Sequence, residues 1–113
     1  MAFLAAVLAA FAATPATGLY GTVVRGPITP VCRVDEPCDG PAHVTLVFSR
    51  LGKAVARVHT REDGSYRIRL RPGRYSVRTT STSIFERRTN PSTSTVPRVG
   101  YRRADFNIDT GIR

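Results

Sequence analysis

The chain has 113 residues and a formal net charge of +9, from 17 Lys and Arg against 8 Asp and Glu. That length excludes more than one domain with more than one core. Lys53 is the single lysine, so the basic side chains are almost all Arg, the residue favoured where planar, bidentate contact with carboxylate or phosphate matters; a compositional preference for Arg, Ala and Gly would give the same count, and both readings stay open.

From Met1 to Phe11 no side chain is charged, and Phe3, Leu4, Val7, Leu8 and Phe11 stand among alanines. The run is too short to cross a bilayer as a helix, which takes roughly 20 apolar residues. Small residues follow at Ala12, Ala13, Thr14 and Ala16, so residues 1–16 read as a signal peptide, with Thr14 and Ala16 at the small positions before a cut. The usual basic opening is missing, because the first basic residue is Arg25, and an upstream translation start would supply it. The alternative is an apolar N-terminal element of the domain, against which Ala-rich sequence makes a poor strand. No Cys lies near the cut, so a lipid anchor is not indicated. Residues 17–113 then form an exported domain outside the cell.

The remaining elements, in chain order, are short alternating runs separated by Gly, Pro, Asp or Asn, with no sustained helical period. A first strand is expected over 19–25, followed by a Pro-rich loop over 26–41 that carries Cys32 and Cys38. In an exported protein these two cysteines are expected to pair. So short a loop contributes about 2 kcal/mol on the loop-entropy model. A metal site using both thiolates with His43 is the alternative, and it lacks the four well-spaced ligands that structural zinc needs. The spacing is not the Cys-x-x-Cys of redox pairs.

Strands are expected over 43–49 and 53–60, the latter with Ala54, Ala56 and Val58 on one face. Glu62-Asp63-Gly64 is a turn signal. Tyr66, Ile68 and Leu70 then alternate with Arg67, Arg69 and Arg71 over 65–71, and after Pro72-Gly73 the pattern resumes over 74–80, with Tyr75 and Val77 opposite Arg74 and Arg78. Residues 79–95, rich in Ser, Thr, Arg and Asn, read as a long exposed loop. Pro97 demotes the run 95–101 to an edge strand, and Ala104, Phe106 and Ile108 mark a last strand over 103–109. About seven short strands in under a hundred residues give an all-β fold, a two-sheet Greek-key sandwich.

Four segments carry a family resemblance: Gly21-Thr22-Val23, Pro41 to Leu46, Thr60 to Tyr66, and Leu70-Arg71-Pro72-Gly73-Arg74-Tyr75-Ser76-Val77. In order and spacing they resemble the carboxypeptidase regulatory-like domains of the transthyretin-like sandwich group, in a small secreted bacterial form. The resemblance implies a sandwich that accompanies other activities without being catalytic, with Gly64 turning the chain and Tyr66 and Tyr75 entering the core. The cysteine-bearing loop is additional to the family pattern. A hydrolase of hydroxyisourate exists in this fold group, but it needs histidines and a Tyr-Arg-Gly-Ser end; here the histidines are His43 and His59, and the chain ends Asp109-Thr110-Gly111-Ile112-Arg113.

No catalytic, cofactor or metal site is therefore expected. The function expected is that of a binding or structural module, associating with a protein partner or an anionic envelope component. The candidate anion-binding residues are Arg67, Arg69, Arg71, Arg74 and Arg78. If the two Arg-bearing strands paired through Pro72-Gly73, Arg71 would face Arg74 and Arg67 would face Arg78, a like-charge opposition that an anion would relieve. If consecutive strands instead lie in different sheets, those pairs vanish. A solvated Arg-rich surface is the competing reading. Nucleic acid is disfavoured by export and by the absence of aromatic residues at the surface positions of these strands, and membrane contact is confined to the signal segment or lipid head groups.

Overall fold

Alternation with period two dictates strands, and strands make up most of the described backbone. A computed structural model describes residues 16–27 and 38–111. The expected leader up to residue 15, Cys32 with the rest of 28–37, and residues 112–113 lie outside the described residues. The elements are β1 (Thr17–Gly26), β2 (Gly40–Pro41), β3 (Thr45–Arg50), β4 (Lys53–His59), β5 (Ser65–Arg69), β6 (Gly73–Thr79), α1 (Ile84–Arg87), β7 (Arg88–Val96), β8 (Gly100–Arg103) and β9 (Phe106–Asp109). The all-β expectation holds, since α1 is a single turn.

The strands form a curled mixed sheet in the order β2-β1-β9-β7-β6-β3-β4, and β5 and β8 also pair with β1. The first half of β1 lies between β5, antiparallel, and β8, parallel. Its second half lies between β2, antiparallel, and β9, parallel. At the other end of the sheet, β3 is central between β4 and β6. Strand β7 joins the two regions, pairing with β6 along most of its length and with β9 at Thr89 and Asn90.

The curl encloses one core. Leu19 and Val23 of β1, Tyr66 of β5, Leu46 and Phe48 of β3, Tyr75 and Val77 of β6, and Phe106 and Ile108 of β9 are all buried in one cluster. Phe48 and Tyr66 link the two ends of the curl, with ring centroids 6.5 Å apart, and Phe106 lies 6.0 Å from Tyr66 on its other side. The polar groups inside are satisfied: Thr60, 2% exposed, donates its hydroxyl to the Ala42 carbonyl at 2.5 Å and accepts the Val44 N–H at 2.8 Å. Tyr66 donates to the Ala104 carbonyl at 2.5 Å, and Tyr75 to the Arg71 carbonyl at 2.7 Å across the Pro72-Gly73 turn. Both tyrosines thus enter the core as expected, and Gly64, at φ 84°, turns the chain.

Four expectations are corrected. The run 79–95 is not a long loop, because α1 and β7 occupy most of it. Its threonines are β-branched and suit a strand, and Thr89 is buried with its hydroxyl on the Val77 carbonyl at 3.1 Å. Pro91 is accommodated because the β6–β7 register shifts between Ser76 and Arg78. Strand 95–101 does not form as one piece: β7 ends at Val96, and β8 starts after the Pro97-Arg98-Val99 break at Gly100, φ 72°. Ala54 does not share the core face of Ala56 and Val58, because a bulge opposite Phe48 and Ser49 inserts Val55 and shifts the phase. Finally, the strand expected to reach Arg71 stops at Arg69.

Candidate functional site

Because β5 pairs with β1 while β6 pairs with β3 and β7, the two Arg-bearing strands do not lie side by side. The opposed pairs Arg71–Arg74 and Arg67–Arg78 do not form. Four of the five arginines divide into two groups facing away from the core at the two ends of the curl, with Arg67 and Arg69 on β5 and Arg74 and Arg78 on β6. Arg71 sits in the turn between them, exposed.

On the first outer surface, register places Arg67, Tyr20 and Arg103 in one row across β5, β1 and β8, and Arg69, Gly18 and Tyr101 in the next. Gly18 is required here: a Cβ would lie 2.6 Å from Tyr101 Cε2 and would strike the Ile68 carbonyl. The Tyr101 ring folds over this gap, and the Arg67 guanidinium stacks on the ring, 3.8 Å from its centroid. Such a contact is worth about 0.5–1 kcal/mol at an exposed site. Arg103 is fixed by Asp105 at 3.1 Å, and Asp105 also accepts the Thr22 N–H at 2.8 Å. Partial burial pushes the Asp105 carboxyl up, but the hydrogen bonds from Thr22 and Arg103 outweigh it and hold the group below the usual carboxylate range.

The second outer surface spans β4, β3, β6 and β7. Arg57, Val47, Arg78 and Arg88 form one cross-strand row, and Arg74 lies four residues from Arg78 on the same side of β6. Thr45, His59, Ser49, Ser76, Thr93 and Thr95 also face this way, and no strand residue facing this way is acidic. The ion pairs found among the described residues are Arg103–Asp105 and Arg25–Glu86, the latter at 3.7 Å. None of the outward arginines on β4, β5 and β6 is in one.

Between the two surfaces runs a groove of about 390 Å³ beside β7 and β8, lined by Arg74, Thr93, Ser94, Thr95, Arg102 and Arg103. A larger open cleft is bordered by Arg78, Arg87 and Arg88 together with Phe85, Asn107 and Asp109. His43 and His59 line a shallow groove with Thr45, Thr80 and Ser81, where the His59 ring hydrogen-bonds the Thr45 hydroxyl. Among the described residues no group of three His, Cys, Asp or Glu could hold a metal ion. None of the described cysteines is free, and the expected partner of Cys38 lies outside the described residues.

The pattern along β5 and β6 locates Arg67, Arg69, Arg74 and Arg78 on outer surfaces but says nothing of their neighbours. Tyr20, Tyr101, Arg102, Arg103, Arg57 and Arg88 come from other strands. Two aromatic residues therefore accompany the first Arg group, where none was expected. Tyr20 carried a signal, since it is out of phase with the buried Leu19 and Val23 and so is an aromatic on a surface position. Comparison with protein-family models finds no match, and comparison with curated proteins finds no significant similarity.

Proposed function

We propose that the chain is a non-catalytic, exported binding module that holds an anionic extracellular polymer on its arginine-bearing surfaces. In this reading it is a two-sheet Greek-key sandwich of the carboxypeptidase regulatory-like kind, closed by a Cys32–Cys38 bond. The observation that carries the binding role is the Arg67–Tyr101 stack over Gly18, set in register beside Tyr20 and Arg103. Stacking holds the planar guanidinium in place before any ligand arrives, so less side-chain freedom is lost when it grips a phosphate or carboxylate. Export is supported by the apolar run before Pro15 and by β1 opening at Thr17, the first residue after the expected cut.

The test is retention of the secreted protein on anionic cell-wall material across a salt series. Wild type is expected to bind at low ionic strength and to be released as screening rises. The triple variant Arg67→Ser, Arg69→Ser, Arg78→Ser is expected to lose retention while still folding, its melting temperature lowered by about 2–8 °C through loss of the Arg67–Tyr101 contact. Equal retention of the variant refutes the proposal, and salt-insensitive retention of wild type points to a protein partner instead.

A further inference from the structure

The topology that separates the arginines of β5 from those of β6 also supplies a path between them. Arg103 belongs both to the first surface, in register with Tyr20, and to the groove beside β7. Arg74 belongs both to that groove and to the second surface, on the side of β6 that carries Arg78. The groove contributes a third guanidinium, Arg102, and the hydroxyls of Thr93, Ser94 and Thr95. Its one carboxylate, Asp105, is already engaged by Arg103 and by the Thr22 N–H.

Resting on the polyanion reading, we infer that this groove is an oxyanion site through which a single flexible chain bearing phosphate or carboxylate groups passes from the first surface to the second. The chain runs past Arg67, Tyr20 and Arg103, turns through the groove between Arg102 and Arg74, and continues to Arg78 and Arg88. Cross-strand spacings of about 4.8 Å and a separation of about 10 Å between packed layers make the path on the order of 30 Å. A flat membrane meets only one outer surface at a time. A flexible chain engages both, which fits a linear polymer and not a lipid surface.

The experiment uses the full secreted protein with three probes: tripolyphosphate, too short to leave the groove; long-chain polyphosphate; and polygalacturonate, which offers carboxylates. Arg74→Ser with Arg102→Ser alters the groove, Arg67→Ser the first surface, and Arg57→Ser with Arg88→Ser the second. On a long chain each variant is expected to bind at least about tenfold more weakly, with a shallower salt dependence. Tripolyphosphate binding is expected to weaken only in the groove variant. Polyphosphate and polygalacturonate compared in parallel tell which oxyanion the site takes, and binding of either supports the path. Long-chain binding that ignores the second-surface variant overturns it, as does clustering of phosphatidylglycerol vesicles with no binding to either soluble chain. A wild type that binds no polyanion at low salt removes the proposed function as well, an outcome distinct from these.

Discussion

Thr60→Val keeps the size and β-branching of a buried residue and removes one hydroxyl. In the native fold that hydroxyl accepts the Val44 N–H at 2.8 Å and donates to the Ala42 carbonyl at 2.5 Å, tying the entry of β3 to the end of β4. Valine leaves both backbone groups without that partner at a site 2% exposed. An unsatisfied buried group costs about 1–3 kcal/mol, so the pair amounts to about 2–6 kcal/mol, a large share of the roughly 5–15 kcal/mol that holds a domain folded. For a domain of this size each kcal/mol moves the melting temperature by about 4–8 °C. Urea denaturation at neutral pH, read by tyrosine fluorescence, measures the difference, with Thr60→Ser as the companion that keeps the hydroxyl and loses one methyl, at about 1 kcal/mol. A Thr60→Val protein within about 0.5 kcal/mol of wild type would refute the reasoning, because it would mean that Ala42 and Val44 find other partners.

Burial first, and then the charge of Asp105, push the Tyr66 phenol far above its ordinary value. The neutral form is favoured in the folded state, so its stabilisation is complete below about pH 10, the unfolded value, and is lost as pH rises towards the folded value; wild type should lose up to about 1.4 kcal/mol per pH unit more than Tyr66→Phe above pH 10, and parallel pH profiles would refute this. Gly18→Ala should destabilise by more than about 1 kcal/mol and expose the Tyr101 ring, seen as faster tyrosine quenching, since its Cβ meets both that ring and the Ile68 carbonyl. Intact mass of the secreted protein, before and after reduction with thiol labelling, should show a leader-free chain whose two thiols appear only on reduction; a full-length mass with free thiols would remove the export reading.

Legibility followed the range of the interactions. Tyr66-Ile68-Leu70 and Tyr75-Val77 sort inside from outside by alternation alone, and the Asp63-Gly64 turn is written in its residues: the Asp63 carboxylate accepts the Ser65 N–H at 3.0 Å and Gly64 takes a positive φ. Strand β7 was hidden because its inward positions include Thr89, whose hydroxyl finds a buried carbonyl and so lets a polar run sit in a sheet. The outward phase of the arginines was legible, but not their company. Arg67 meets Tyr101 because β8 runs parallel to β1, a pairing across more than eighty residues that no local pattern encodes. The bulge that removes Ala54 from the core was equally silent, since Ala suits either face.

Among the described residues, strand β1 comes first along the chain, yet its parallel partners β8 and β9 come last. Until the ribosome has released residues 100–109, Leu19 and Val23 have neither Phe106 nor Ile108 beside them, and one edge of β1 stays open. Sheets closed by such distant pairings assemble slowly. The seam along β1 therefore closes only once residues 100–109 are in place, so one short segment supplies both parallel partners of the strand and acts as its clasp.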